Sequence, residues 1–235
     1  MTNPDFPYQA ITLVGGGALT RETLMRALAH APRLVAADGG ADAALALGVT
    51  PDLAVGDFDS ITEAAKALLG PARLHPDPDQ DTTDFDKALA VAGADLVLAV
   101  GFAGARLDHT LAAMGTLARN PQRRVVLDTG HDLCLLCPPH LALDLPAGTR
   151  VSLFPLAPLA CASTGLVWPT EGLLLDPLGR IGTSNAAQGG AVTLTPEAPG
   201  LLLLLPVESL EALLPALRAA PTWPLPSSPP PARAG

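Results

Sequence analysis

"AITLVGGGALTRETLMRALAHAPRLVAADGG", Ala10 to Gly40, decides the fold. An apolar run ends at three glycines, a segment with helical apolar spacing follows, and a second apolar run closes on Asp38-Gly39-Gly40. The same grammar continues to about Leu127. "PDLAVGDFD", "ARLHPD", "ADLVLAVGF" and "RRVVLD" read as further strands, and "ADAALALG", "SITEAAKALLG", "TDFDKALAVAG" and "LDHTLAAMGTLARN" as helices between them. Ser60 with Glu63 has the form of a capping box, and Gly48, Gly70 and Gly93 stand where helices should stop. Alternation of this kind implies an α/β fold, a Rossmann-like, mostly parallel sheet with helices on both faces.

Past Asp128 the grammar changes. "DLCLLCPP", "HLALDLP", "TRVSLFPLA", "GLVWP", "EGLLLDP" and "GAVTLTP" are short runs broken by Pro and Gly, the signature of a C-terminal all-β sandwich. The expected organisation is an α/β domain at 1–128 and a β-sandwich at 129–207. A terminal helix at 208–219 and a flexible proline-rich tail at 220–235 complete it.

A chain of 235 residues has ample length for a real core. Its formal charge of −9, from 23 acids against 14 bases, argues against duplex nucleic acid as a partner. An anionic substrate stays possible, because a bound metal inverts the local field. "MTNPDFPYQA" lacks the basic and apolar regions of a secretion signal, and Gly200–Val207 is too short an apolar run to span a bilayer. Cys134 and Cys137 fall on opposite faces of one expected strand, with no second pair to complete a zinc site. The expectation is a reduced, cytoplasmic protein.

Parallel sheets bind ligands beyond the carboxyl ends of their strands, and there the unusual residues collect. One strand ends in Asp38-Gly39-Gly40, the next in Asp57-Phe58-Asp59-Ser60, and a later one in "GFAGARLDH" with Arg106, Asp108 and His109. Asp81, Thr82, Asp84 and Lys87 open the helix of "DQDTTDFDKAL". Taken singly, each has a plain reading as a tight turn, a cap, an acidic helix start or a surface ion pair. Jointly they fit metal-assisted phosphate chemistry. Asp57 and Asp59, as alternate residues of an extended segment, share a face, and hard ions such as Mg²⁺ take carboxylate oxygens together with substrate phosphates. The "VGGG" loop, Val14–Gly17, resembles a phosphate cradle but lacks a full dinucleotide or GK[ST] fingerprint.

The order "ADGGA…LGVTPDLAVGDFDSI…PDQDTTDFDKAL…GFAGARLDHTL…TSN" resembles the thiamine pyrophosphokinase family along nearly the whole chain except the tail. The resemblance implies transfer of pyrophosphate from ATP to the hydroxyethyl oxygen of thiamine, giving thiamine diphosphate and AMP. It implies Mg²⁺ on Asp57, Asp59 and Asp84, with Arg106 and Asp108 at the reaction centre. Asp38, Gly39, Gly40, Asp81, Thr82, Lys87 and His109 would line the nucleotide phosphates. Trp168, Ser184 and Asn185 would line the thiamine site, where an aromatic face suits a thiazolium cation. A homodimer with the β-sandwich at its interface is also implied. Two positions depart from the pattern: Ala105 replaces a glycine, and apolar residues around Met114 stand where an asparagine often follows.

Three other readings compete. "DFDSI" resembles the motif of haloacid-dehalogenase-type phosphatases, but lies on the third expected strand with no lysine after Lys87. A pyrophosphokinase for another alcohol, such as a pterin, keeps the acids and changes the acceptor. A non-catalytic thiamine- or nucleotide-binding protein would not need the complete set of acids.

Overall fold

The computed structural model describes residues 9–104 and 106–225. Six parallel strands, β1 (Ala10–Val14), β2 (Arg33–Ala37), β3 (Leu53–Gly56), β4 (Leu74–Pro76), β5 (Leu96–Val100) and β6 (Arg124–Asp128), lie in the order β6-β5-β1-β2-β3-β4. Their connections carry α1 (Arg21–His30), α2 (Gly40–Ala46), α3 (Glu63–Leu69), α4 (Asp84–Val91) and α5 (Leu107–Arg119). Strand alternation sorts the core into two faces. Leu96, Leu98 and Val100 pack with Leu24 and Ala27 of α1, Ala44 of α2 and Ala65 of α3. Val97 and Ala99 pack with Phe85 and Leu89 of α4 and Leu117 of α5. Both faces are therefore covered, as a buried parallel sheet requires.

The winding reverses between β1 and β5, and the two glycine loops that follow these strands meet there. Gly15 N–H donates to Val100 O at 2.9 Å and Gly17 N–H to Gly101 O at 2.7 Å. A Cβ on Gly15 would stand 2.7 Å from Gly101 O, and one on Gly40 only 2.2 Å from Val14 O. Glycine at these places lets α2 start against the end of β1.

Helix starts differ in one respect from expectation. α3 is capped by Thr62, whose hydroxyl accepts from Ala65 N–H at 3.2 Å, not by Ser60 with Glu63. Ser60 is already committed, its N–H to Asp38 and its hydroxyl to Asp59. The capping box belongs instead to Thr83 and Asp86 at the start of α4. Gly48 and Gly70 do follow helix ends with positive φ, 75° and 72°.

The antiparallel half comprises β7 (Asp132–Leu136), β8 (Leu141–Leu145), β9 (Arg150–Pro155), β10 (Leu159–Thr164), β11 (Leu174–Leu175), β12 (Gly182–Ala186), β13 (Gly190–Pro196) and β14 (Leu201–Pro206). Three of these, β10, β12 and β14, are additional to the strands expected from sequence, and "GLVWP" forms only the isolated bridge Leu166–Ala187. The sandwich shares a sheet with the parallel half. β7 pairs antiparallel with β6, and the sheet runs on through β14 and β9 to β12, ten strands in all. A second sheet, β11-β10-β13-β8, faces it across a common core of Leu133, Leu153 and Leu203 against Leu141, Cys161 and Leu194. Position 128/129, the expected domain boundary, thus lies in the turn between two hydrogen-bonded strands.

α6 (Leu210–Ala219) follows a 3₁₀ turn at Val207–Ser209 and buries Leu213, Leu214 and Leu217. Arg124 donates to Leu217 O at 2.8 Å and Ala220 O at 2.7 Å, closing the helix end, and Trp223 Nε1 donates to Cys137 O at 2.9 Å. The start of the proline-rich segment is therefore anchored; residues from 226 onward lie outside the described residues, as does Ala105. All three cysteines are free and buried, with Cys134 and Cys137 in different faces of the core. Met114 packs its sulfur 3.4 Å from Cys134 Sγ.

Candidate functional site

The acidic edge is built around Asp38, the residue after β2. It has a left-handed backbone, φ 40°, and is 1% exposed. Its Oδ2 accepts from Ser60 N–H and its Oδ1 from Ile61 N–H, both at 3.1 Å, so this carboxylate holds the loop that follows β3. Gly56 permits the approach: a Cβ there would sit 2.9 Å from Asp38 Cβ. Desolvation by burial, with Asp59 and Asp84 nearby, raises the Asp38 pKa to about 6 against the opposing hydrogen bond from Ser60.

Asp57 and Asp59 come together for a reason other than the one their spacing suggests. Phe58 is not extended but left-handed, φ 64°, and its ring packs on the core while the flanking carboxylates stay on the polar side. Oxygens of Asp38, Asp57 and Asp59 lie within 4.8 Å of one another. Three hard oxygen donors at that separation fit a divalent ion such as Mg²⁺. Asp84, expected as the third ligand, is outside that group and linked to it by Lys87. The Lys87 ammonium, its side chain 2% exposed, donates to Asp57 Oδ2 at 3.0 Å and Asp84 Oδ1 at 3.4 Å. Burial works to lower the Lys87 pKa, yet the two carboxylates hold it above its ordinary value. Asp57, bonded first by Lys87 and then by Gln80, is held below the usual carboxylate range, whereas burial raises Asp84.

Gln80 was missed by sequence reasoning. Its Nε2 donates to Asp57 Oδ2 at 2.9 Å, a partner 23 residues away that no local pattern announces. Asp81 and Thr82 are exposed on the loop before α4, where Thr82 donates to Asp79 Oδ2 at 2.6 Å and Asp81 N–H to Asp79 Oδ1 at 2.9 Å. Gly39 and Gly40 lie at the start of α2, against the loop after β1. Arg106, Asp108 and His109 are exposed at the start of α5, with Arg106 Nη2 2.6 Å from Asp108 Oδ2. This pairing raises the Arg106 pKa and lowers that of Asp108. Phe102, in the loop leading to them, stacks on Phe85 of α4 at a centroid distance of 4.0 Å.

Trp168, Ser184 and Asn185 are grouped elsewhere. Asn185 Oδ1 accepts from Trp168 N–H at 3.1 Å and its Nδ2 donates to Trp168 O at 2.6 Å, fixing the backbone under an indole that is 61% exposed. Ser184, φ 61°, sits in an irregular stretch of β12 and donates its N–H to Ser152 Oγ. Trp168, Leu173, Leu175, Arg180, Ile181 and Asn185 border a cleft of about 160 Å³. Between β12 and β3 lie eight inter-strand steps, about 38 Å along the sheet at about 4.8 Å each. Within one chain the two groups are at opposite ends.

A model of the thiamin pyrophosphokinase catalytic domain matches residues 24–127. Thiamine pyrophosphokinase 1 of Arabidopsis thaliana is 30% identical over 199 residues, covering 70% of this chain and 74% of the relative. The chain belongs to the thiamine pyrophosphokinase family. It spans 61% of a rice relative, thiamine pyrophosphokinase 3, at 28% identity. Among solved structures, the thiamin pyrophosphokinase of Candida albicans superposes with a TM-score of 0.73 at 17% identity, covering 88% of this chain and 95% of that one. The Bacillus subtilis enzyme gives 0.71 at 24%, covering 84% and 98%. These likenesses support the mixed architecture, one large mostly parallel sheet with an antiparallel sheet beside it. The catalytic-domain match takes in the acidic cluster and Arg106–His109, and stops short of Trp168, Ser184 and Asn185.

Proposed function

We infer that this member of the thiamine pyrophosphokinase family transfers pyrophosphate from ATP to thiamine. The observation that carries the reading is the convergence of Asp38, Asp57 and Asp59 at the carboxyl edge of a family-matched sheet. The hydroxyethyl oxygen of thiamine forms a bond to the β-phosphorus, the bond from that phosphorus to the oxygen bridging the α-phosphate breaks, and AMP leaves with that oxygen. The hydroxyl proton passes to a carboxylate of this edge, Asp59 or Asp108. Catalysis of such a transfer is chiefly positioning and charge neutralisation.

Asp57 and Asp59, with Asp38 or Asp84, would hold Mg²⁺, which when bound neutralises charge on the phosphate oxygens. Arg106 exchanges its partner Asp108 for phosphate oxygens, a forked contact that its exposure permits. Asp81, Thr82, His109 and the glycines 39 and 40 border the phosphates. Trp168 offers its exposed face to the thiazolium, with Ser184 and Asn185 shaping the cleft.

The span of about 38 Å along the sheet supports a homodimer, because a thiamine cleft at β12 can serve the acidic edge only of a second copy. Three free, buried thiols support a cytoplasmic setting, and no helix of the described residues is long and apolar enough to cross a membrane. The test is a discontinuous assay with ATP, Mg²⁺ and thiamine, separating products by chromatography. Equal amounts of AMP and thiamine diphosphate, both lost with chelator, are expected. AMP without thiamine diphosphate would transfer the reading to another acceptor alcohol, and neither product would reject it.

A further inference from the structure

Lys87 was expected to meet nucleotide phosphate, yet its ammonium faces inward. It is 2% exposed, and the hydrogen bonds it makes run to Asp57 Oδ2 and Asp84 Oδ1. A buried ammonium is costly unless paired, and here two carboxylates from different elements pair it. One of those, Asp57, also belongs to the three-carboxylate group suited to a cation. Its Oδ2 receives both Lys87 and Gln80 Nε2, and its Oδ1 accepts weakly from Asp59 N–H at 3.3 Å. An ion among Asp38, Asp57 and Asp59 would therefore share a carboxylate with a fixed positive charge. Repulsion across one carboxylate, in surroundings poorer in water than bulk solvent, is strong enough to govern binding.

We propose that Lys87 is an internal counter-cation that prevents the acidic cluster from retaining a free divalent ion, so that the ion is held only together with the polyphosphate of the nucleotide. The inference rests on the pyrophosphokinase reading for the identity of that polyphosphate. The charges that face Lys87 are those of Asp57 and Asp84, with Asp79 at longer range. Removing the ammonium leaves this arrangement short of one positive charge, which a divalent ion can supply. Adding a triphosphate achieves the same end by bringing negative charge to the other side of the ion. A lysine serving only to orient Asp57 gives the opposite result, since its loss would loosen the ligand and weaken the ion.

The experiment is a Mn²⁺ titration of nucleotide-free protein, read as free Mn²⁺ by electron paramagnetic resonance, on wild type, Lys87→Met, Lys87→Gln and Lys87→Arg. The expected result is Mn²⁺ binding at least about tenfold tighter in Lys87→Met and Lys87→Gln than in wild type, with Lys87→Arg unchanged. A non-hydrolysable ATP analogue should tighten Mn²⁺ retention by wild type. If Lys87→Met fails to fold, Lys87→Gln, which can still donate to Asp57, carries the test. Equal or weaker Mn²⁺ binding in the folded neutral variants would overturn the proposal. So would tight binding by wild type without nucleotide. Product formation is measured separately: absence of both AMP and thiamine diphosphate rejects the enzymatic reading, while the order of Mn²⁺ affinities still decides the role of the lysine charge.

Discussion

Asp38 and Asp57 show how neighbouring carboxylates are driven in opposite directions by their surroundings. Asp38 is raised to about 6, chiefly by burial, while Asp57 is lowered, chiefly by Lys87. A carboxyl raised in the folded state binds its proton more tightly there than in the unfolded chain. The associated stability is complete below the ordinary value of 3.8 and is lost as pH rises through about 6. Denaturation midpoints of wild type should therefore fall, relative to Asp38→Asn, between pH 4 and pH 7; parallel curves would refute the assignment. Asp57→Asn should keep the fold and lower turnover more than about 100-fold, because even residues that merely orient a metal ligand cost about 10–100-fold. Near-wild-type rates in that variant would remove Asp57 from the metal site. Much of this edge was legible in the sequence, since Asp57 and Asp59 flank one apolar residue after an apolar run. The left-handed turn at Phe58 was not, because a bulky residue rarely takes positive φ, and neither were the partners Gln80 and Lys87, which reach Asp57 across 23 and 30 residues of chain.

At the level of elements, two glycine-rich connections carry the site. α2 begins so near the end of β1 that Gly40→Ala would place a methyl carbon 2.2 Å from Val14 O. The backbone has to shift, and the substitution should destabilise by at least about 1–3 kcal/mol in urea denaturation. An unchanged midpoint would mean that α2 can slide without cost. The parallel half was readable because each strand is a short apolar run bounded by turn residues and each helix carries its own spacing. The antiparallel half was less so, for separate reasons. β12, "GTSNA", is a polar edge strand with no hydrophobic signal. β14, "LLLLLP", is apolar throughout because it lies between β7 and β9 with both faces covered, which hides the alternation that identifies a strand. "GLVWP" has strand-like residues, but most of its apolar surface is exposed around Trp168 and it makes only a bridge.

At the scale of the whole molecule, the separation of the Trp168 cleft from the acidic edge makes a prediction about mixtures. If the proposed homodimer brings the Trp168 cleft of one copy to the acidic edge of the other, Asp57→Asn and Trp168→Ala proteins should each lose most activity alone and regain it when their subunits are exchanged. Random pairing makes about half the dimers mixed, each with one intact site, so about one quarter of wild-type activity is expected. No recovery, in mixtures shown by mass to contain hybrid dimers, would place both groups in separate functions. The strand order has a further consequence, for synthesis. Among the described residues β14 is the last strand to be made, yet it is the one that joins β9 and β12 to β7. As the chain leaves the ribosome, the parallel half can complete its ladder early, while β9 and β12 wait with no place in the sheet until residue 206 has emerged. A pause or truncation just before Leu201 would leave the strands already made with two open edges, at β7 and β9, in the form most prone to pair with another molecule.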